Sequence, residues 1–370
     1  MRTAIETFSP AAIVQQFDVR GTLVDARVIK SGHIHDTLCV RMKQGDAIVR
    51  YILQRVNHHV FINPAAVMEN IARVTAHLRA KAEGMPGRAF EKVLTIVPTR
   101  DHELCWQDAE ENWWRMYEYV EGAYTVDTAA SEEQAYAAAA AFGRFQALLA
   151  DLPGPRLHET IPGFHDTVKR YEGLQKAVES DLHNRAARCK RELAFAMERE
   201  AMTHVLLDMA ARGEMRERVT HNDTKINNVM FDERTGRGVC VIDLDTVMPG
   251  LPLYDFGDCV RTTATRAAED ERDLSKVRME PELFEALVRG YLSEARELLN
   301  EREVALLGFT GRLISFEIGI RFLTDYLNGD VYFKTSRPEH NLERARAQFA
   351  LVASMDAQEV TMNAVIRKAT

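Results

Sequence analysis

The sequence predicts an α+β protein of two lobes, a small strand-rich one over residues 1–120 and a larger, mainly helical one over residues 121–370. Three observations predict it. Short β-branched and aromatic runs separated by Gly-bearing turns fill the first third of the chain. Beyond it the apolar residues recur at helical spacing instead. Between helical stretches lies one segment, Val219–Asp258, in which His, Asp and Asn gather around a strand-like run. At 370 residues and 46% hydrophobic, the chain is long enough to bury the cores of two lobes. A cleft between the lobes is then the expected place for a site.

Taken in order, Ala11–Phe17 suits a short helix. Val24–Ile29, Thr37–Met42 and Ala47–Gln54 read as three strands, joined by the turns Lys30–Asp36 and Gln44–Asp46. A Gly-bearing turn between strands, here at Gly32, can cover phosphates with backbone N–H groups or can be an ordinary hairpin. Asn63-Pro64 opens a helix over roughly 65–81 whose Val67, Ile71, Val74 and Leu78 share one face. Glu69, early on this helix, either pairs with a basic residue of the third strand or is a favourable acid near a helix N-terminus. Lys92–Pro98 and Trp113–Val120 read as further strands. The second, WWRMYEYV followed by Glu121-Gly122, suits an interlobe hinge at which Glu118, Tyr119 and Val120 meet an adenine edge with backbone groups. Its aromatics equally suit a core face.

The helical part begins with a capping box, Ser131 with Gln134 three residues on, opening a helix through Ala150. Phe164–Asp181 and Arg188–Ala210 follow as helices with solvated charged faces. Pro281–Leu299 is a further helix. Another runs from Asn300 to about Leu327, stopped by Asn328-Gly329, and a last one starts near Pro338.

Composition narrows the function. A formal charge of −8 argues against nucleic acid, whose phosphates select Lys/Arg surfaces. The five cysteines are dispersed with no CxxC pair, which fits neither a disulfide frame nor a zinc site. No apolar run reaches the ~18 residues of a membrane span, and the first residues lack an apolar signal core. A cytoplasmic protein without a membrane partner is expected.

The chemistry concentrates in Val219–Asp258. In His221-x-Asp223-x-x-x-x-Asn228, a carboxylate and a carboxamide sit five residues apart on one loop. Phosphoryl transfer needs a group that orients and accepts the proton of an incoming hydroxyl, and hard oxygen ligands for Mg²⁺. Asp223 suits the first role and Asn228 the second, while His221 can hold the loop. Twenty residues on, Gly238–Ile242 reads as a strand that delivers Asp243, which can share the metal with Asn228. Asp245 is a second ligand or bonds nearby backbone. If the strand continued, the two acids would crowd on one side unless a metal or an Arg neutralised them. Asp255 and Asp258 suit loop support through capping and hydrogen bonds to His221 or backbone. A metal-dependent hydrolase needs more His near Asp223, and a glycosidase-like carboxylate pair leaves Asn228 unexplained.

With these residues in view, the sequence resembles the aminoglycoside-phosphotransferase and choline-kinase-like family, whose fold is that of protein kinases. The resemblance is carried by Gly32–Thr37 (GHIHDT), Tyr51–Asn57 (YILQRVN), the hinge WWRMYEYVEG, His221–Val229, Val241–Gly250 and Arg321–Lys334 (RFLTDYLNGDVYFK), and so spans nearly the whole chain. Within the family the longer strings are similar to those of N-acetylhexosamine 1-kinases. The resemblance implies ATP and Mg²⁺ as cofactors. It implies transfer of the γ-phosphate to the anomeric hydroxyl of a small-molecule sugar, N-acetylglucosamine or N-acetylgalactosamine, with Asp223 as base and Asn228 and Asp243 on the metal. The third strand departs from the wider pattern by lacking its usual Lys, which leaves Gln54 or Arg55 for the phosphates. For the sugar, Arg321 and Asp325 lie i,i+4 on one helix, with Tyr332 in the turn beyond; the same charges could be an exposed ion-pair ladder. His33 and Asp36 are further candidates, in the turn expected to overhang the transferring phosphate. The alternatives are a kinase of an aminoglycoside or amino alcohol, or a nucleotide-binding module without catalysis.

Overall fold

The computed structural model describes residues 8–29, 34–85, 87 and 90–370. The first third builds one mixed-length sheet. After α1 (Pro10–Val14), the strands β1 (Thr22–Ile29), β2 (Asp36–Gln44) and β3 (Ala47–Val56) form an antiparallel meander. Helix α2 (Pro64–Gly84) follows, then β4 (Ile96–Val97), β5 (Trp106–Gln107) and β6 (Trp113–Glu118). The sheet order is β1-β2-β3-β6-β4, with β5 also on β6. Alternation along β2 buries Leu38, Val40 and Met42 against Ile13, Val14 and Phe17 below and Trp114 and Met116 beside them. The strand expected over Lys92–Pro98 shrinks to two residues. Its first half is drawn off the sheet because the Lys92 N–H donates to the Val239 carbonyl, 3.1 Å away in the second part of the molecule.

Helix α2 begins as the sequence implies, with the Asn63 side chain accepting from the Ala66 N–H and Val67, Ile71, Val74 and Leu78 all buried. The expectation for Glu69 does not hold. Glu69 faces solvent and meets His158 at 2.9 Å, not a base of β3, and it lies beyond the first helical turn. The inward polar residue is its neighbour Asn70. Its amide donates to the carbonyls of Val247 (3.0 Å) and His158 (2.8 Å) and its oxygen accepts the His158 N–H (3.0 Å). Asn70 thereby ties α2 to the stretch holding the second acid cluster.

The helical part opens with β7 (Ala123–Tyr124) and α3 (Glu132–Leu149). The Ser131 hydroxyl caps the Gln134 N–H, but the Gln134 side chain returns to Ala130 and not to Ser131. The expected helix over 188–210 is interrupted. After α4 (Thr167–Ser180) come α5 (Lys190–Met197), a 3₁₀ turn over Glu200–His204 and α6 (Val205–Ala211), with the Thr167 hydroxyl bonded to the buried Thr203 carbonyl within the turn. Strands β8 (Arg218–Thr220), β9 (Val229–Asp232), β10 (Gly238–Val241) and β11 (Met248–Gly250) then form two small antiparallel sheets, β10-β9-β7 and β11-β8.

Six helices complete the chain: α7 (Pro252–Thr263), α8 (Pro281–Ala295), α9 (Glu301–Ala305), α10 (Leu307–Leu327), α11 (His340–Ala357) and α12 (Glu359–Ala369). The helix expected to run unbroken from Asn300 to Leu327 is two, parted at Leu306, with a full capping box between Asn300 and Glu303. Helix α10 is apolar nearly all round and is packed by α4, α7 and α11. The α7 crossing is close: a Cβ on Gly257 would lie 2.6 Å from the Thr310 carbonyl oxygen. Among the described residues, no helix is long and apolar enough to cross a membrane.

Candidate active site

Val219–Asp258 folds as the sequence implies only in part. Strands β9 and β10 pair as a hairpin, but the chain leaves β10 at Val241 and turns. Asp243 takes the left-handed conformation, φ +60°, and a 3₁₀ turn over Leu244–Thr246 follows. Tyr254–Asp258, whose acids were expected to support the loop, lies in α7, which starts on Pro252.

The loop after β8 is held from below. The Asp255 carboxylate accepts the N–H groups of His221 (2.9 Å) and Asn222 (2.7 Å) and the Gln146 amide (2.6 Å). The Thr246 hydroxyl donates to the His221 carbonyl at 2.7 Å. The His221 ring is buried, edge-on to Phe142 and Phe145. Its Nε2 donates to the Ile242 carbonyl at 3.0 Å, so its Nδ1 is free to accept the Asp223 N–H at 3.3 Å. Asn222 has φ +65°, and its side chain bonds Thr220 and the Thr246 carbonyl. Gly250 is required here: a Cβ would meet the Thr220 hydroxyl at 2.4 Å and the Asn222 amide oxygen at 2.9 Å. Asp258, expected to share this loop support through bonds to His221 or backbone, instead pairs with Arg261 at 2.7 Å.

Asp223 emerges from this scaffold partly buried. Lys225 Nζ lies 2.9 Å from Asp223 Oδ1, and the Asn228 amide nitrogen donates to the Asp223 carbonyl (2.8 Å) and to its Oδ2 (3.2 Å). Burial opposes ionisation, but Lys225 outweighs it and holds the Asp223 carboxyl below its ordinary value. The group is therefore a carboxylate, aligned and able to receive a proton. Sequence reading passed over Lys225. Its signal was present, a cation two residues after Asp223 in HNDTK.

The second acid cluster divides its labour. Asp245 is buried and forms a two-point ion pair with Arg115, at 2.5 and 2.6 Å. Burial would raise its carboxyl, but Arg115 and His35 drive it far below the ordinary range. His35 Nδ1 accepts the Asn57 N–H at 3.0 Å, so its Nε2 carries a proton, 3.5 Å from Asp245. His35, Asp243 and Asp245 cluster closely enough for a metal set, yet His35 offers no lone pair and both Asp245 oxygens are engaged. The reading of Asp245 as a second ligand gives way to the Arg neutralisation also foreseen. Arg115, which sequence reading missed, comes from β6, 130 positions before its partner.

Asp243 is the exception. Its carboxylate receives no hydrogen bond among the described residues, and the Asn228 amide oxygen is equally unengaged, because its nitrogen faces the Asp223 carbonyl, which can only accept. Asp243 meets solvent yet sits among protein atoms. That desolvation, with Asp245 and Asp223 nearby, pushes its carboxyl up to about 7. Two unengaged hard oxygens beside a surplus of negative charge fit Mg²⁺.

The residues expected around the nucleotide fare unequally. Gly32 and His33 lie outside the described residues. Asp36 and Arg55 face each other across β2 and β3 and form a salt bridge, so the carboxylate expected near the sugar and the guanidinium expected near the phosphates engage one another. Gln54 accepts from Arg115 Nε at 2.9 Å and donates to the Thr37 hydroxyl at 3.0 Å, which makes it the brace of the Arg115–Asp245 pair. At the hinge, Glu118 N–H donates to the Thr95 carbonyl and Tyr119 N–H to the Arg50 carbonyl, with the Arg50 guanidinium 3.9 Å from the Tyr119 ring centre. The Val120 N–H has no partner among the described residues, as a backbone group meeting an adenine edge requires.

The proposed sugar residues are not one constellation. Asp325 is buried and consumed by its own turn: it accepts the N–H groups of Val331 (3.0 Å), Tyr332 (2.8 Å) and Phe333 (3.0 Å) and the Asn341 amide (2.8 Å). It is a loop anchor with no free valence for a ligand, which corrects its assignment to substrate. Arg321 lies one turn back on α10 among the rings of Phe164, Tyr332 and Phe333, at 4.9, 6.0 and 5.8 Å, with Glu317 at 3.7 Å. Tyr332 is 53% exposed. The charge ladder of α10 is thus largely buried, not solvated.

The model of the phosphotransferase enzyme family matches residues 25–303. Solved structures with this fold include a microcompartment-associated aminopropanol kinase, with 19% identity, TM-score 0.58, and 95% of this chain and 97% of that one covered. An aminoglycoside phosphotransferase from Alicyclobacillus acidocaldarius has 15% identity and TM-score 0.59 over 98% and 96%. The GDP complex of aminoglycoside 2'-phosphotransferase-IIIa has 13% identity and TM-score 0.55 over 91% and 96%. These likenesses bear on the fold; the match over residues 25–303, which takes in β2, β3, the hinge, Asp223, Asn228 and Asp243, bears on the family. With its strand-rich N-terminal sheet, its helical C-terminal part and an aligned aspartate on the loop after β8, the chain belongs to the phosphotransferase enzyme family.

Proposed function

We propose that the protein is an ATP-dependent kinase of a small hydroxylated molecule, and that its acceptor is the anomeric hydroxyl of an N-acetylhexosamine. The observation that carries the kinase reading is Asp223, an ionised carboxylate gripped by Lys225 and Asn228, near an Asp243 that no donor among the described residues engages. Asp223 receives the acceptor's proton, and Lys225 keeps the carboxylate ionised and oriented until it does. Asn228 and Asp243 would hold Mg²⁺, which supplies electrostatic stabilisation of the transferring phosphoryl charge when bound. The hinge Glu118–Val120 receives the adenine through the Val120 N–H. The division into lobes near residue 120 belongs to the same reading.

The acceptor is inferred from the charge state of the surroundings. Acids around Arg321 and the turn beyond it are already engaged by the chain's own groups: Glu317 by His165 and Arg321, Asp325 by backbone N–H groups, Asp270 by Arg337 and a hydrogen bond from His340, and Glu269 by Arg261. A polycationic aminoglycoside needs free carboxylates and finds few. Arg321 set among three rings, with Tyr332 exposed beside it, offers hydrogen-bond donors and an aromatic face, the complement of a neutral sugar. ADP release measured with Mg-ATP over a panel of free sugars, aminoglycosides and amino alcohols tests this. Turnover of N-acetylhexosamines, with the phosphate on the anomeric oxygen by phosphorus NMR, is expected. Turnover confined to amino alcohols or aminoglycosides would overturn the sugar assignment and leave the kinase reading standing.

A further inference from the structure

One buried charged group has no role in the site so far. His165, in the segment between α3 and α4, has a side chain only 3% exposed, and its partner Glu317 on α10 is fully buried. His165 Nδ1 lies 3.1 and 3.2 Å from the two Glu317 oxygens, and Nε2 lies 3.1 Å from the Asn222 carbonyl oxygen. A carbonyl can only accept, so Nε2 bears a proton. An ionised carboxylate can only accept, so Nδ1 bears one too. The ring bridging them is an imidazolium, and it reaches the residue immediately before Asp223, whose left-handed backbone turn presents the base.

We propose that His165 is a positioning residue: a buried imidazolium, held by Glu317, that clamps the Asn222 carbonyl and so fixes Asp223, linking the catalytic loop to the Arg321 end of α10. Charged and titratable neighbours face this ring from each packed element. Glu317 and Arg321 come from α10, with Arg170 of α4 close to both, and Asp258 and Tyr254 come from α7, with the Tyr254 ring 5.0 Å away. Burial alone would depress the imidazolium. Glu317, with Asp258 behind it, outweighs burial and the opposing Arg321, and raises the ring above its ordinary value. Arg321 sits 3.7 Å from the same Glu317. An acceptor engaging Arg321 therefore acts on a carboxylate whose other face governs the base.

The inference rests on the phosphotransferase reading for its kinetic arm, but not for its spectroscopic one. In the full-length protein with ¹⁵N-labelled histidine, the His165 ring, assigned by its loss in His165→Gln, is expected to carry two protonated nitrogens at neutral pH. One unprotonated ring nitrogen overturns the proposal, whatever the acceptor proves to be. With any acceptor that the panel identifies, His165→Gln and Glu317→Gln should each lower kcat about tenfold or more while leaving the nucleotide KM within about twofold, and the double variant should be no worse than either single. A group raised in the folded protein acts while protonated and is lost as pH rises through that value. The alkaline limb of kcat should therefore be absent in His165→Gln. Thermal unfolding of each variant separates this from misfolding: unchanged kcat per folded molecule, or an unmoved pH profile, overturns the proposal.

Discussion

Two carboxylates, Asp243 and Asp325, look alike on paper and have opposite fates. Each was a candidate ligand-binding residue. Asp325 receives four hydrogen bonds from its own chain, three of them backbone N–H groups of the turn it anchors. Asp243 receives none among the described residues, and desolvation together with its acidic neighbours raises its pKa. The comparison teaches that what marks a functional acid is unspent valence. A carboxylate already satisfied by the fold has little left to offer a ligand, whereas an unsatisfied one held beside other charges is an unfavourable arrangement that a cation can relieve. Asp245, two residues from Asp243, falls on the satisfied side because Arg115 neutralises it.

The largest expected effect sharpens the functional side. Asp223→Asn should lower turnover by about 10²–10⁴-fold, the usual worth of a general base, with the unfolding temperature scarcely moved. An active Asp223→Asn protein would sink the mechanism. Next, Arg115→Met should cost about 3–5 kcal/mol of stability by leaving Asp245 buried and unpaired, read as a lowered denaturation midpoint. Asp325→Asn should behave as a milder structural lesion, costing about 1.5–3 kcal/mol through its charge-assisted hydrogen bonds. Its acceptor KM should change less than that of Arg321→Met; the reverse order would return Asp325 to the binding site.

The smallest effect, because Asp243 meets solvent and its interactions are screened, is a pH dependence of stability without metal. A carboxyl raised by folding is favoured protonated, so it costs stability as pH climbs from its ordinary value near 3.8 to about 7. Metal-free Asp243→Asn should therefore match the parent near pH 4 and melt above it beyond pH 7, and Mg²⁺ should stabilise only the parent. Equal melting of the two metal-free proteins at every pH would place Asp243 with Asp325 among the satisfied acids.

Legibility in the sequence followed sequence distance. Strands β1 to β3, the Asn63 and Ser131 caps and the Asp223–Asn228 loop depend on residues within a few positions of one another, and all were readable. The α2 reading failed by a single position, Glu69 for Asn70, since a step of one residue turns a helix side chain by about 100° from the core toward solvent. Lys225 was readable but unread. Arg115 was not readable, because nothing near WWRMYEYV announces a partner 130 residues away.

The sequence by itself determined the periodicities, the order of strand-rich and helical parts, and a loop carrying a carboxylate and a carboxamide five residues apart, Asp223 and Asn228. Local propensity and hydrogen-bonding chemistry suffice for these. Only the tertiary structure decided which charges are spent. It joined Asp36 to Arg55, Asp245 to Arg115, Asp325 to its own turn and Glu317 to His165, and it left Asp243 unengaged among the described residues. Electrostatics acts through space, so the partner that neutralises a charge is chosen by packing and not by its place in the chain.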